Sequence, residues 1–379
     1  MSAFKKLGRK FMDLSPKAIR EIIIAFVILC LAAALSFPQF LEDRKDAKVQ
    51  KETLQSDTIL KSTAPEEQGM DSALLKEAAK SLEKTSAVSL IVIRNRNIVY
   101  EKYFGNEGSN NIFSITKSFI SALTGIAIRE GYIHSVDDTV ETYLPEYFKG
   151  LTDPRWKQVT IQHLLTMTPG FCENLDQWTS SEDWIKATFQ LPLQYDPGEK
   201  FQYANSASHL LSVLLAKATG MSTKDFAEQY LFQPLGIISP QWAVDPLDYY
   251  TGYANLFLKP RDLAKFGLLY YSMGKWNGVQ VVPEEWVAES TKVHFDFNKE
   301  QNSGYENGYG YKWWLSGKTG YHIYSALGYG GQSISIIPDL GLEVVITCIP
   351  GNLSLNDEQR DIFLMEYIIP SIIDKNGGK

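Results

Sequence analysis

The sequence is poor in the residues that most often build metal sites and disulfide frameworks. It contains three cysteines and five histidines in 379 residues, and the histidines are scattered with none paired to another at ligand spacing. It shows no internal repeat and no low-complexity segment. Positive charge is also scarce, since 37 Lys and Arg stand against 44 Asp and Glu, for a net charge of −7. This balance argues against a nucleic-acid partner, and the scattered histidines predict no metal site.

What is present is sufficient for a large folded core. A hydrophobic content of 44% and a charged content of 21% are ordinary for a globular protein, and the length allows two lobes. The chain is rich in aromatic residues, with 20 Tyr, 19 Phe and 8 Trp. Such residues fill cores and also line clefts. Both interpretations stay open for four tryptophans: Trp178, Trp184, Trp313 and Trp314.

The first forty residues differ from the rest. Six basic residues precede an apolar run from Ile22 to Phe37, which Pro38 ends. We interpret residues 1–41 as a basic leader with a membrane anchor or signal segment, and residues 42–64 as a linker. An uncleaved single-pass transmembrane helix is favoured over cleavage after Ser36. The positive side stays in the cytoplasm, so the expected location is the bacterial cell membrane, with the domain on the periplasmic side. There Cys172 and Cys348 could pair, or stay free.

Hydrophobic periodicity predicts strands near both ends of residues 65–379 and helices between them. A helix is expected from Asp71 to about Lys84, a β-hairpin over 88–93 and 98–104, a helical region over roughly 131–275, and a last helix over 357–373. Four more strands are predicted towards the C-terminus: Gly308–Leu315, Tyr321–Leu327, Gln332–Ile337 and Leu342–Cys348. The expected fold class is α/β (α+β), with an antiparallel sheet built from both chain ends, flanked by helices, and an inserted, mostly helical domain.

The apolar run that follows Ser114 is the most informative stretch. From Ser114 to Ile128 the only charged residue is Lys117, which predicts a buried helix. Ser114 and Lys117 are three residues apart, so on a helix their side chains lie on one face. Burial lowers the pKa of a lysine, so Lys117 could activate a serine nucleophile. The same spacing begins at three other serines: Ser2, Ser81 and Ser272. Only Ser114 opens a buried helix; a capping serine with a snorkelling lysine is the structural alternative.

A tyrosine and an asparagine form the second candidate element. Tyr203 and Asn205 follow the Pro197-Gly198 turn and directly precede an apolar helix. Near a cationic lysine a tyrosine ionises more easily, so Tyr203 could deprotonate Ser114 and later protonate a leaving group. Asn205 could hold the lysine or a substrate carbonyl; alternatively it only caps the helix. Tyr-x-Asn occurs at two other places, Tyr253-Ala254-Asn255 and Tyr305-Glu306-Asn307.

These motifs resemble the serine β-lactamase-related hydrolases, a family that includes class C β-lactamases, DD-peptidases, esterases and 6-aminohexanoate-dimer hydrolase. The resemblance runs from about Gln68 to Cys348. Its segments stand in order along the chain: Ser114-x-x-Lys117, Val159–Gly170, Pro197-Gly198-x-x-Phe201-x-Tyr203 and Tyr203-x-Asn205. The resemblance implies a sheet domain and a helical domain with the site between them. It also implies an acyl-enzyme on Ser114, with Lys117 and Tyr203 as the proton-transfer pair and no metal or organic cofactor.

The third element of that family is a Lys-Thr-Gly or His-x-Gly strand that faces the serine. Lys318-Thr319-Gly320 matches it literally, but its position between two aromatic strand segments is typical of a hairpin turn. We assign the element to Ala326–Gln332 instead, which leaves an alanine at the cationic position. The backbone N–H of Tyr329, beside Gly330, is then the second oxyanion donor with that of Ser114. The Gly-Gly-Gln ending resembles the 6-aminohexanoate-dimer hydrolase branch more than the β-lactamases.

The expected function is hydrolysis of a small-molecule ester or amide through an acyl-enzyme. One alternative is a β-lactamase or DD-peptidase acting on penicillins or peptidoglycan, for which Lys318 would have to reach the site. Another is a non-catalytic envelope scaffold with the same fold. His163 and His209 are expected to be structural residues.

Overall fold

The computed structural model describes residues 60–105, 107–298, 307–317, 320–349, 355 and 357–373. The basic leader and the apolar run expected to cross a membrane lie outside these residues, as does Lys318. Within the described part of the chain, no helix is both long enough and apolar enough to span a bilayer.

The described strands form one large sheet and two small ones. In chain order they are β1 (Ala87–Arg94), β2 (Asn97–Tyr103), β3 (Asn110–Asn111), β4 (Gln241–Trp242), β5 (Leu256–Leu258), β6 (Lys275–Trp276), β7 (Val279–Gln280), β8 (Phe295–Asp296), β9 (Asn307–Tyr309), β10 (Trp314–Ser316), β11 (Ile323–Gly328), β12 (Gln332–Ile337) and β13 (Leu342–Cys348). The large sheet has the order β2-β1-β13-β12-β11-β10-β9-β8, and its neighbouring strands are antiparallel. The prediction of one antiparallel sheet built from both chain ends is therefore confirmed.

Some α-helices of the described residues flank this sheet, and others come from the stretch of chain between its N-terminal and C-terminal strands. They are α1 (Ser72–Leu82), α2 (Thr116–Arg129), α3 (Val140–Tyr143), α4 (Ile161–Leu165), α5 (Leu175–Thr179), α6 (Trp184–Phe189), α7 (Asn205–Thr219), α8 (Thr223–Ala227), α9 (Pro260–Tyr271), α10 (Glu284–Ser290) and α11 (Asp357–Phe363). Helix α1 starts where predicted because the Asp71 carboxylate accepts hydrogen bonds from the N–H groups of Ala73 and Leu74.

The central strands are buried on both faces, and alternate residues enter two different cores. Ile91 and Ile93 of β1 belong to the larger core, which includes α2, α7 and α9. Leu90 and Val92 of the same strand belong to the smaller core, with α1 and the C-terminal helical segment. This two-residue period is the one expected of a strand covered by helices on each side.

Helix α2 is held from several sides in the larger core. Its residues from Thr116 to Ala127 are all buried. Phe119 stacks on Phe266 of α9 with ring centroids 3.8 Å apart. At Gly125 a Cβ atom would lie only 2.3 Å from the Trp286 ring, so glycine is required for this close approach. The helix start, which carries the candidate nucleophile, is therefore fixed by packing over the whole length of the helix.

One strand prediction is wrong in detail. The segment Gly308–Leu315 was expected to be one strand, but it contains β9, a tight turn and the beginning of β10. The turn places Lys312 in the left-handed region, at φ 66°. The aromatic residues around this turn have the composition of a strand, so their pattern alone conceals it.

Candidate active site

The candidate nucleophile is presented by a strained turn. A short 3₁₀ helix, Phe113–Ile115, leads directly into α2. Phe113 has a positive φ of 48°, which costs about 1–3 kcal/mol for a residue with a side chain. Its N–H donates to Asn111 Oδ1 at 2.9 Å, and Asn111 Nδ2 donates to Asn255 Oδ1 at 2.9 Å. These bonds hold the turn, and Ser114 is left half-buried at its centre.

Lys117 lies one turn further along, as the spacing predicted. Its side chain is almost fully buried, with 1% exposure. Its Nζ lies 2.8 Å from Ser114 Oγ, 2.9 Å from Asn205 Oδ1 and 2.9 Å from the backbone carbonyl oxygen of Tyr253. The structure therefore brings together three of the predicted site residues, Ser114, Lys117 and Asn205, and adds a backbone oxygen that has no sequence signature.

Burial controls the charge of this lysine. Removal from water favours the neutral amine and lowers the pKa of Lys117 to about 7, while the negative charge of Glu173 acts in the opposite direction. Near neutral pH the side chain is therefore present as both the amine and the ammonium. A lysine in this state is able to accept a proton from a neighbouring hydroxyl group.

Two tyrosines flank the lysine. The Tyr203 ring centroid is 4.9 Å from Lys117 Nζ, and the ring stacks on Trp314 at 5.8 Å between centroids. The Tyr253 ring centroid is 5.7 Å from the same nitrogen. Burial and the charge of Glu173 raise the pKa of Tyr253, which disfavours its ionised form. Tyr203 is thus placed where the sequence predicted it, and Tyr253, the second Tyr-x-Asn copy, supplies a carbonyl oxygen.

Glu173 is a site residue that sequence reasoning missed. One carboxylate oxygen accepts the backbone N–H of Asn205 at 2.7 Å, and the other accepts the Ser206 hydroxyl at 2.7 Å. The carboxylate therefore holds the first residues of α7, from which Asn205 reaches Lys117. Nothing in the surrounding sequence distinguishes this glutamate from an exposed one.

The end of β11 packs against the nucleophile turn. At Gly328 a Cβ atom would lie 2.4 Å from the Ile112 carbonyl oxygen, so only glycine fits. Tyr329 follows directly, and its ring lies 5.7 Å from that of Phe113. Gly330, next in the chain, is buried. The end of β11 and Tyr329 thus lie against the turn that carries Ser114.

Of the competing Lys-Thr-Gly segment, Gly320 is the residue that the structure describes. Strands β10 and β11 pair antiparallel from Ser316 and Ile323 onwards, and the N–H of Gly320 donates to the Gly317 carbonyl oxygen at 3.0 Å. Gly320 precedes the start of β11, whereas Tyr329 follows its end. Lys318 and Thr319 themselves lie outside the described residues.

A second buried lysine was not predicted. Lys312 is 2% exposed, and its Nζ donates to the Leu164 carbonyl oxygen and contacts Met167 Sδ at 3.2 Å. Burial, and in addition the positive charge of Lys117, hold the pKa of Lys312 well below its usual value. Its backbone carbonyl accepts the Ser118 hydroxyl at 2.7 Å, which ties the β9–β10 turn to α2.

Other residues considered from the sequence have structural roles. His163 accepts the N–H of Thr160 in a capping box at the start of α4. Cys172 and Cys348 are both free thiols, so the alternative of a disulfide between them is not realised. Trp313 is fully buried, whereas Trp314 is the residue that stacks on Tyr203. In the described part of the chain, no three His, Cys, Asp or Glu side chains converge to hold a metal ion.

A serine beside a buried lysine, at the start of a core helix and next to the end of a sheet strand, is the arrangement of a Ser-x-x-Lys serine hydrolase. The chain belongs to the Beta-lactamase family, whose model matches residues 75–349. The resemblance identified from the motifs is therefore confirmed.

Individual relatives cover the catalytic region to different extents. An uncharacterised protein of Alkalihalophilus pseudofirmus is 25% identical over 320 residues, which are 73% of this chain and 88% of that protein. Penicillin-binding protein 4* of Bacillus subtilis is 24% identical over 270 residues, 60% of this chain and 58% of that protein. A solved structure described as a 6-aminohexanoate-dimer hydrolase from Bacillus anthracis superposes with a TM-score of 0.66 at 21% identity, covering 77% of this chain and 81% of that chain. At this identity the last match establishes the fold alone.

Proposed function

We propose that the protein hydrolyses a small-molecule ester or amide through an acyl-enzyme formed on Ser114. The observation that carries the proposal is the 2.8 Å contact between Ser114 Oγ and the Nζ of a buried lysine whose pKa is lowered to about 7. An alcohol is a weak nucleophile until a base accepts its proton, and a neutral lysine next to it provides that base.

The partners of Lys117 orient its lone pair. A neutral amine has two N–H donors and one acceptor. Asn205 Oδ1 and the Tyr253 carbonyl oxygen are acceptors only, so they take the two donors. Ser114 is the one of the three partners whose contacting atom carries a proton to donate. When Lys117 loses its own proton, the lone pair is therefore directed at the Ser114 hydroxyl.

The remaining steps are assigned to residues around Ser114. The backbone N–H groups of Ser114 and Tyr329 would bind the oxyanion, as preorganised backbone donors do in acyl transfer. Tyr203, held by Trp314 and close to Lys117, would pass the proton to the leaving alcohol or amine. Water would then release the acid.

A β-lactamase or DD-peptidase activity is the second candidate. It is favoured by the match to penicillin-binding protein 4* over 60% of this chain. Against it stands the alanine in Ala326–Gln332 at the position where such enzymes carry a cation for the substrate carboxylate.

We further propose that the apolar run Ile22–Phe37 anchors the protein in the bacterial cell membrane, with the hydrolase on the periplasmic side. The support is the cluster of basic residues before that run. The mass of the native N-terminus, measured on membrane-extracted protein, tests this: an intact leader supports the anchor, and a start at Phe37 indicates a cleaved signal peptide instead.

An intact-mass experiment tests the proposed activity. The protein and its Ser114→Ala variant are incubated separately with p-nitrophenyl acetate and with a penicillin. Ester turnover or an acetyl adduct that requires Ser114, without a penicillin adduct, is the expected result. A stable Ser114-dependent penicillin adduct would move the protein to the second candidate. If neither reagent reacts, the non-catalytic scaffold becomes the better interpretation.

A further inference from the structure

A buried histidine and a buried aspartate lie behind the Lys117 site. His209 has 0% exposure and Asp245 has 4%, and His209 Nε2 lies 2.9 Å from Asp245 Oδ2. The sequence predicted a packing role for His209, and its ring is indeed enclosed by the edges of Trp178 and Trp184 at 5.7 and 5.4 Å between centroids. The hydrogen bond to Asp245 shows that it does more than fill space.

The hydrogen bonds around the pair define the orientation of the histidine ring. The N–H of Gly252 approaches His209 Nδ1 at 3.5 Å, so Nδ1 acts as the acceptor and Nε2 as the donor to Asp245. The other oxygen of Asp245 accepts the backbone N–H groups of Leu247 and Tyr249 at 2.8 and 2.9 Å. The pair therefore joins α7 to both ends of the segment from Asp245 to Gly252.

The same two elements supply the acceptors of Lys117. Asn205, one helical turn before His209 on α7, provides its side-chain oxygen. Tyr253, the residue after Gly252, provides its carbonyl oxygen. On the far side, Asn111 Oδ1 accepts the N–H of Asn255 at 3.2 Å, so the Tyr253 carbonyl is fixed from two directions. There is little room for this chain segment to adjust, because a Cβ atom on Gly252 would lie 2.1 Å from the Ser208 carbonyl oxygen.

We propose that His209 and Asp245 form a positioning pair that holds the Tyr253 carbonyl and the Asn205 amide in place around Lys117. The proposal rests on the proposed function for the meaning of that placement in catalysis. Neither residue of the pair contacts Ser114 or is assigned a proton-transfer step. Their effect is to keep two acceptors on the lysine, so that its lone pair is left for the serine.

Four other titratable groups lie around Lys117 and must be kept unchanged in any test, and one of them is Tyr253, whose ring centroid is 5.7 Å from Nζ. Glu173 faces it with negative charge from the segment before α5, Lys312 lies nearby in the β9–β10 turn, and Tyr203 lies over it from the loop before α7. Asp245 is the charged group that faces His209. Substitutions at His209 and Asp245 leave all four of the groups around Lys117 unchanged.

The experiment measures kcat and KM for p-nitrophenyl acetate against pH in four proteins: wild type, His209→Leu, His209→Gln and Asp245→Asn. We expect His209→Leu to lower kcat at least tenfold, because the Lys117 lone pair is no longer held towards Ser114. KM should change little, because substrate binding is not affected. The ammonium form of Lys117 loses a hydrogen-bond acceptor, which lowers the pKa of Lys117. The acid limb of the pH profile, where kcat rises with pH as Lys117 loses its proton, should therefore move to lower pH. His209→Gln, whose amide N–H is able to donate to Asp245, should recover part of the loss.

The Asp245→Asn variant tests the same chain of contacts from the other side. In this variant, an amide N–H that donates to His209 Nε2 requires the tautomer that is protonated at Nδ1. The Nδ1–H then faces the N–H of Gly252, and the two donors repel each other. The expected change has the same direction as that of His209→Leu. Ser89→Ala serves as the matched control, since it removes an equally buried hydrogen bond, to Thr347 Oγ1 at 2.6 Å, on the central strands. It should leave both kcat and the acid limb in place.

A direct titration separates this inference from the proposed function. The pKa of Lys117 is followed by NMR on protein labelled at the lysine side chains, with the signal assigned by its loss in Lys117→Met. A shift of that pKa in His209→Leu and Asp245→Asn supports the positioning pair even if the wild type hydrolyses no ester. A folded His209→Leu or Asp245→Asn protein with the wild-type kcat and the wild-type Lys117 pKa would overturn it.

Discussion

Lys117 and Lys312 are two lysines buried to the same degree in neighbouring parts of one core, yet their surroundings are different. Lys117 has three oxygen partners, one of which is a hydroxyl group. Lys312 has a backbone carbonyl and a thioether sulfur. Burial lowers the pKa of both, and the charge of Lys117 lowers that of Lys312 further.

This comparison shows that burial alone does not make a lysine a base for catalysis. Both side chains are desolvated, but of the two only Lys117 contacts a hydroxyl group, that of Ser114, which is able to donate a proton. Lys312 contacts acceptors only, so its neutral form has no hydroxyl to activate. The two lysines differ in their hydrogen-bonding partners. Each prediction below alters one of the lysines or the surroundings of Lys117.

The largest expected effect is on turnover. Lys117→Met should lower kcat/KM for p-nitrophenyl acetate by roughly 10³-fold or more, because a base that contacts the nucleophile is lost. Lys312→Met should stay within about tenfold of wild type. Steady-state kinetics on the two purified variants measures this. Comparable losses of kcat/KM in the two folded variants would contradict the assignment of the base to Lys117 alone.

A second prediction concerns stability and Lys312. In the unfolded chain this lysine keeps its proton up to its usual pKa near 10.5, while in the folded protein it loses the proton at much lower pH. The unfolded state therefore binds more protons in between, and wild-type stability should rise with pH by up to about 1.4 kcal/mol per unit relative to Lys312→Met. Urea unfolding at pH 7, 8 and 9 tests this; a difference that is constant with pH would contradict it.

The position of the acid limb sharpens the comparison. Because Lys117 must be neutral to act as a base, kcat/KM should rise with pH and level off above about 7, the pKa of Lys117. The pKa of Lys117 is set by burial and by the charge of Glu173, so Lys312→Met should leave the limb where it is. The pH profiles of the two proteins are the measurement. A limb that moved in Lys312→Met would show that Lys312 carries charge in the working range.

The smallest effect is expected for Glu173→Gln. The carboxylate raises the pKa of Lys117 against the effect of burial, so the neutral amide should move the acid limb to lower pH. Its oxygen is still able to accept one of the two bonds at the start of α7. A shift of a few tenths of a pH unit with kcat within about tenfold is anticipated. Glu173→Ala is the companion variant, and a limb displaced to higher pH in either protein would be the contrary outcome.

Local patterns predicted the sheet well because its strands obey a simple rule of burial. Strands β12 and β13 occupy the predicted residues, Gln332–Ile337 and Leu342–Cys348, which were recognised by apolar residues at strand period between turn residues. The wrong strand, Gly308–Leu315, failed because a positive φ at Lys312 is a tertiary feature that its aromatic neighbours do not signal. The nucleophile helix was predicted because a lone charge in an apolar run is visible in any sequence.

The parts of the site that were missed share a physical cause. The Tyr253 carbonyl is a backbone atom, and every residue has one, so no residue type marks it. Glu173, and the bond between His209 and Asp245, depend on which loops meet at α7, and contacts between distant segments leave no periodic pattern. Local sequence motifs predicted three of the site residues: Ser114, Lys117 and Asn205. Each motif lies within a few residues at the start of a helix, so it can be recognised without knowing the fold.

Building the sheet from both chain ends has a consequence for synthesis on the ribosome. The central pair β1 and β13 joins residues such as Ser89 and Thr347, which are 258 positions apart in the sequence. At translation rates of about 5–20 residues per second, β1 waits roughly 13–50 s for its partner. Until then neither core is closed, and the end of β11 has not yet reached the Ser114 turn. The nascent chain should therefore remain without hydrolase activity until its last strands are made.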